Sequence, residues 1–159
     1  MTGEVRQLLE IVDRAYDRRS WHGTNLRGSI RGVSLRQAAW RQAPGRHNIW
    51  ELVVHAAYWK YVVRRRLTGE ARGSFALKGS NWFARPVAAT PRAWKADVAL
   101  LEDAHRSLRR AIAAFPPARL HRRNGRSETN LSLIAGIAAH DLYHAGQIQL
   151  LKRLFTESA

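Results

Sequence analysis

The sequence predicts an all-α protein, a four-helix bundle with a long crossover connection between the second and third long helices. Apolar residues recur at steps of three and four in four long segments, which is the spacing of one face of a helix. No convincing strand pattern interrupts them. A chain of 159 residues suits one domain, so we expect residues 1–159 to form a single helical bundle.

The first half of the chain contains the first long helix and a short one. Residues 4–21 carry one apolar stripe, and Gly23 is a plausible stop for the helix that they form. Ser34, with a glutamine three residues later, has the form of a capping box. We expect it to begin a short helix that reaches Trp40.

The other three long helices follow in the same way. Asn48 caps a helix that we expect to reach residue 67. Residues 69–90 have no helical period, and their length favours a connection that crosses the bundle. Thr90, followed by proline, begins the third long helix, and Thr129 or Asn130 begins the last, which runs to about residue 155.

Composition limits the class of protein and the compartment. The chain has no cysteine, which excludes a disulfide framework, a thiolate metal site and a cysteine nucleophile. No apolar run approaches the ~20 residues that a bilayer span needs. We therefore expect a soluble cytoplasmic protein with no membrane partner.

The net charge of +15 makes nucleic acid a partner to consider. The arginines are spread over every segment, however, and no recognised nucleic-acid motif accompanies them. An arginine-rich solvated surface is the simpler interpretation, and nucleic-acid binding is a less favoured alternative.

Three histidines lie within apolar helical stripes. His140 and His144 are four residues apart, so both point from one face of the last helix. His55 occupies a similar stripe on the second long helix. Bundle cores build metal sites from facing helices in this way, although core histidines bonded to carbonyls or carboxylates are an alternative that the spacing leaves open.

Three imidazoles and a water would form a catalytic type of metal site, with one position left for a substrate. Imidazole suits several divalent metals. Zinc or nickel is the expected ion, and manganese or iron is the alternative. His140-Asp141-Leu142-Tyr143-His144 also resembles the zinc-protease pattern H-E-x-x-H, but its aspartate is one methylene shorter than the glutamate base.

Three further residues are candidates for catalytic roles. Glu51 could orient His55, act as a general base or only close the capping box of its helix. Asp141 falls at the edge of the stripe, either supporting a ligand or exposed and paired with arginine. Gln147 could donate to a metal-bound group or pack between helices.

Aromatic and cationic residues could complete a substrate pocket. Trp59, Trp82 and Tyr143 are either pocket walls or core residues, and the core is the commoner role. Arg66 or Arg85 could hold a substrate carboxylate.

Two separated segments resemble the DinB/YfiT-like family. They are Asn48-Ile49-Trp50-Glu51-Leu52-Val53-Val54-His55-Ala56-Ala57-Tyr58-Trp59-Lys60 and His140-Asp141-Leu142-Tyr143-His144-Ala145-Gly146-Gln147-Ile148. The resemblance extends to Trp21-His22-Gly23 and to the Leu67-Thr68-Gly69 that ends the second long helix. It covers essentially the whole chain.

The resemblance implies a four-helix bundle with a long crossover and a divalent metal ion held by His55, His140 and His144. It also implies a homodimer, and related proteins use a low-molecular-weight thiol as cosubstrate, among them mycothiol-dependent maleylpyruvate isomerases and bacillithiol S-transferases. We therefore expect a metal-dependent S-transferase or hydrolase that acts on a small molecule. A non-enzymatic metal- or ligand-binding stress-response protein is the alternative.

Overall fold

The computed structural model of the protein describes residues 3–125 and 127–158. These ranges contain six α-helices and a short 3₁₀ turn, joined by loops. In chain order the helices are α1 (Gly3–Tyr16), α2 (Leu26–Ser29), α3 (Leu35–Ala39), α4 (Ile49–Thr68), α5 (Pro91–Ala113) and α6 (Asn130–Glu157). The 3₁₀ turn, Pro117–Arg119, lies between the last two helices. These two ranges contain no strand, so the predicted all-α class is confirmed.

Side-chain caps begin four of the helices at the predicted positions. They are Ser34 on α3, Asn48 on α4, Thr90 on α5 and Thr129 on α6. In each case the side-chain oxygen accepts a hydrogen bond from the backbone N–H three residues later. Helix α4 ends at Gly69, whose φ of 78° is the left-handed conformation that glycine adopts without steric cost.

The region after α1 differs from the prediction. Helix α1 ends at Tyr16 rather than near residue 21, because the polar residues 17–20 offer no apolar side chain that would continue its buried stripe. The prediction also missed α2, a four-residue helix that is too short to show a period. Its start is fixed by Asn25, whose side chain accepts a hydrogen bond from the Gly28 N–H at 2.7 Å.

Contacts along α4 give the directions of its neighbours. Trp50 donates a hydrogen bond to Asp97 of α5, and farther along both helices Val63 and Leu108 belong to one buried cluster, so α4 and α5 run in the same direction. Helix α6 runs the opposite way, because Ile148 near its end packs in the same cluster as Trp50. Helix α1 completes the bundle by contacting both α5 and α6.

The connection between α4 and α5 runs back along α4. Its contacts with that helix occur in reverse order: Ser74 meets Tyr61, then Asn81 meets His55, and finally the carbonyl of Arg85 accepts a hydrogen bond from the side chain of Asn48. This path brings the middle of the connection to the centre of α4.

Helix α4 is buried on nearly all sides, because it contacts α3, α5 and α6 at once. The apolar stripe that contains His55, which the sequence predicts, accounts for only one face of α4. A second buried stripe continues along the helix at steps of three and four: Ile49, Val53, Ala56, Lys60, Val63 and Leu67. Lys60 is therefore a core residue, although its charge made it look like a surface residue in the sequence.

In the ranges described, no helix combines the length and apolar character needed to cross a bilayer.

An ion pair joins α4 to α6 inside the bundle. Lys60 donates a hydrogen bond to Asp141, and both side chains are 0% exposed. Burial raises the pKa of Asp141 to about 6 and lowers the pKa of Lys60, while the attraction between the two groups opposes both shifts. Asp141 belongs to the buried stripe of α6, so the alternative of an exposed carboxylate paired with arginine is wrong.

Removing one partner of this pair should strongly destabilise the fold. We expect Lys60→Met to lower the free energy of unfolding by about 3–5 kcal/mol, because it leaves a buried carboxylate without its cation. Adding Asp141→Leu should recover most of that loss, since both charges are then gone. Urea denaturation in the presence of a chelator measures both changes.

The matched control is Lys95→Met, which removes an exposed lysine of α5 and should change the free energy of unfolding by about 0.5 kcal/mol or less. Equal effects of Lys60→Met and Lys95→Met would contradict the buried ion pair.

Candidate metal centre

Three imidazoles meet where α4 faces α6. The Nε2 atom of His140 lies 3.1 Å from Nε2 of His55 and 3.0 Å from Nε2 of His144. The possible ligand atoms of the three rings all lie within 4.8 Å of one another. The structure thus brings together the three histidines that the sequence singles out, and we call them the histidine triad.

Two of the three rings have their tautomer fixed by a hydrogen bond at the other nitrogen. Nδ1 of His55 lies 2.9 Å from the backbone oxygen of Asn81, and Nδ1 of His144 lies 2.6 Å from Oε1 of Gln147. A neutral ring that donates from Nδ1 carries its lone pair on Nε2. Both Nε2 lone pairs therefore point toward the ring of His140.

The facing Nε2 atoms of the triad lack one hydrogen-bond donor or cation. A neutral His140 carries a single N–H proton, which can satisfy at most one of the two facing lone pairs. Its Nδ1 is buried and has no hydrogen-bond partner among the described residues. A cation among the three Nε2 atoms would satisfy them all, and imidazole nitrogen is a ligand for several divalent metals. The residues present therefore fit a divalent metal ion.

Burial keeps the triad in the state that binds metal. Desolvation lowers the pKa of His55 to about 4 and the pKa of His140 to about 3, and proximity to His144 adds to both shifts. Desolvation also lowers the pKa of His144. Neutral imidazole is the form that ligates metals, so the site needs no deprotonation near neutral pH.

A stack of three rings supports His55 from the side of the long connection. Trp82 lies between His55 and His47, with ring centroids 3.8 Å and 3.6 Å away and interplanar angles of 10° and 7°. The neighbouring Asn81, at a φ of 63°, accepts a hydrogen bond from Trp59 through its side chain and from His55 through its backbone. These contacts fix the plane of the His55 ring.

Glu51 anchors the far end of this stack rather than a triad histidine. Its carboxylate accepts hydrogen bonds from Arg41 at 2.5 and 2.9 Å, and it lies 2.8 Å from Nδ1 of His47. Burial raises the pKa of Glu51, but the hydrogen bonds from Arg41 and His47 outweigh this effect and lower it to about 2. Glu51 takes part in the predicted helix cap only through its backbone N–H, which donates a hydrogen bond to the side chain of Asn48.

The other two catalytic candidates lie on α6 beside the triad. The Asp141 carboxylate points into the core toward Lys60, so the likeness to H-E-x-x-H does not place a carboxylate among the three imidazoles. Gln147 contacts the ring of His144 rather than packing only between helices. Such supporting hydrogen bonds orient metal-binding histidines and increase their basicity.

Aromatic side chains surround the triad. Trp59 and Tyr143 lie with ring centroids 6.4 Å from His55 and 5.2 Å from His144, respectively. Tyr143 is 65% exposed and Trp82 is 36% exposed, so neither belongs to the core. Both form part of the solvent side of the site.

Sequence reasoning missed the supporting roles of Asn81 and His47. Asn81 belongs to a connection without a period, so only the positive φ of its backbone in the structure distinguishes it. His47 has a usable sequence feature, because it precedes Glu51 by four residues at the start of α4.

The fold and the site together define a helical-bundle protein with a three-histidine centre that can hold a metal ion. The family model described as the DinB superfamily matches residues 18–148. The chain therefore belongs to the DinB superfamily, as the two sequence segments indicated. Comparison of the sequence with curated proteins and with solved structures found no match.

Stability should fall as the solution becomes mildly acidic. The unfolded chain protonates histidine near pH ~6.5, whereas native His55 and His140 stay neutral down to about pH 4 and pH 3. The unfolded state therefore binds more protons in this window, and the free energy of unfolding decreases as the pH is lowered. From about pH 7 to about pH 5 we expect a loss of at most about 2 kcal/mol for each histidine.

Urea denaturation of metal-free protein measures this slope. A variant with both His55→Gln and His140→Gln should show a smaller slope, because it lacks two of the groups that take up protons on unfolding. A slope in this double variant as steep as that of the wild type would refute the neutral triad, because the wild-type slope also includes the opposing titration of Asp141.

Proposed function

We propose that the protein is a metal-dependent enzyme that acts on a small molecule, either by transfer of a low-molecular-weight thiol or by hydrolysis. One observation carries this proposal: three Nε2 atoms converge within hydrogen-bond distance while only one proton is available for two facing lone pairs. Zinc or nickel is the proposed ion, because imidazole ligands suit both.

His55, His140 and His144 would hold the metal. A divalent ion with three neutral imidazole ligands lowers the pKa of a bound thiol or water and supplies a nucleophile near neutral pH. Three protein ligands are the number typical of catalytic zinc sites, whereas closed structural sites use four.

The surrounding residues orient the ligands and restrict access. The backbone oxygen of Asn81 and the side chain of Gln147 hold two of the rings. Trp82 covers one face of His55, and the exposed Tyr143 stands beside His144. These rings exclude water from the sides of the triad and leave a small-molecule substrate to approach between them.

Protein purified without a histidine tag should contain close to one equivalent of a divalent metal. His55→Ala and His144→Ala should each lose it, because the remaining two imidazoles bind too weakly. Elemental analysis measures the content. At 100 times its dissociation constant the metal should also raise the free energy of unfolding by about 2.7 kcal/mol, which a chelator would reverse.

Two controls separate the triad from other histidines and amides. His22→Ala removes an exposed histidine and should keep the metal. Gln147→Leu should weaken metal affinity by about 10–100-fold. Gln149→Leu, on the same helix, removes only a contact with Thr24 and should not weaken it. Absence of metal in the wild type, with no response to added zinc, nickel or manganese, would return the triad to ordinary core histidines.

Turnover should require the metal. We expect the loaded protein to join a low-molecular-weight thiol to an electrophile such as monochlorobimane, or else to hydrolyse an activated ester. The rate should disappear with a chelator and in His55→Ala. A fully loaded protein that is inactive with every thiol and ester tested would contradict an enzymatic role while leaving metal binding intact.

A further inference from the structure

A groove of about 830 Å³ lies between α4 and the first half of the long connection. Its size falls in the range of pockets that bind small organic molecules. The connection is held over α4 by a cluster of aromatic rings, in which Phe75 lies 5.3 Å from both Tyr58 and Tyr61 and 5.5 Å from Phe83. The Tyr61 hydroxyl also accepts hydrogen bonds from the backbone N–H groups of Gly73 and Ser74.

The charge that lines this groove is entirely positive. Four cationic side chains contribute to its wall, Arg65, Arg66, Arg72 and Lys78, and none of its lining residues is acidic. Within the described part of the chain, Arg65 and Arg66 donate to oxygens of uncharged groups, the backbone of Glu70 and both oxygens of Asn124. Glu70 itself is engaged by the guanidinium of Arg64 outside the lining.

Two of these cations have no ionic partner among the residues that the structure describes. Arg72 and Lys78 are exposed and make no ion pair with any residue in the described ranges. Their positive charge is therefore uncompensated where the groove meets solvent. A ligand that brings an anionic group would find complementary charge there, and a cationic ligand would be repelled.

The groove comes near the histidine triad at Trp59, but none of the three histidines lines it. Trp59 lines the groove, and its ring centroid lies 6.4 Å from His55 and 6.3 Å from His140. Ser80, which also lines it, immediately precedes the Asn81 that holds His55. A ligand that contacts Trp59 in the groove therefore lies one aromatic ring from His55 and His140.

We infer that this groove binds a small organic anion, a molecule with a flat apolar body and a carboxylate or phosphate. The apolar body would contact Trp59, and the anionic group would face Arg72 and Lys78. Binding of the anion needs only the groove. Its role as the substrate of the triad rests on the proposed function.

A second cavity shows no comparable preference for an anionic ligand. A cavity of about 840 Å³ along α6 is lined by Lys152 and Arg153 but also by Glu157, so it does not select one sign of charge. Nucleic acid is the less favoured occupant of the groove, and the test below includes an oligonucleotide.

The test compares two fluorescent probes with the same kind of aromatic body. Metal-free protein is titrated with anilinonaphthalene sulfonate, which is anionic, and with N-phenylnaphthylamine, which is neutral. We expect the anionic probe to bind more tightly and to weaken with added salt. In a variant with Arg72→Gln and Lys78→Gln its dissociation constant should rise by about three- to tenfold.

A charge-matched variant, Arg92→Gln with Lys95→Gln on the surface of α5, should leave the constant unchanged. Phenylacetate and phenyl phosphate then compete with the probe separately, which distinguishes a carboxylate ligand from a phosphate ligand. Equal binding of the two probes, or equal losses in both double variants, would overturn the inference. Displacement at physiological salt by a single-stranded oligonucleotide, but by neither small anion, would overturn it as well.

The same titration with His55→Ala separates this inference from the metal centre. Unchanged probe binding in His55→Ala supports a groove that recognises anions on its own. Loss of probe binding in His55→Ala would contradict it. If the protein binds metal but shows no selectivity for the anionic probe, the proposed function stands and the inference about the groove is wrong.

Discussion

Helices α4 and α6 meet through polar side chains inside a mainly apolar bundle, and these groups find partners on the opposite helix. Lys60 faces Asp141, and His55 faces His140 one turn away. A shift of either helix by one residue would leave a buried charge unpaired, which costs several kcal/mol. The ion pair therefore fixes the register that brings the imidazoles together. Stability and site geometry depend on the same contact.

The long connection completes what this contact begins. Two adjacent residues in its middle, Asn81 and Trp82, hold the ring of His55 by a hydrogen bond and by stacking. The same segment forms one wall of the cationic groove. Because α4 and α5 run in the same direction, a long return segment between them is a requirement of the topology. That segment orients the ring of His55 and forms a surface beside it.

Periodicity and caps predicted the bundle because burial and backbone hydrogen bonding act locally on a helix. They also placed His55, His140 and His144 on inward faces. Lys60 was missed because a lysine breaks an apolar pattern, although its stripe continues on both sides. The contacts of Glu51 and Gln147 could not be predicted, since they depend on which rotamers meet after packing. Asn81 acts through its backbone oxygen, which no side-chain pattern encodes.

The coordination of a bound metal tests the central claim most directly. X-ray absorption spectroscopy of the zinc-loaded protein should show three imidazole nitrogens at about 2.0–2.1 Å and one further light-atom ligand. The imidazole count should fall to two in His140→Ala if metal is retained at all. A spectrum with one imidazole or none, or one unchanged by His140→Ala, would show that the metal binds elsewhere and would contradict the histidine triad as its site.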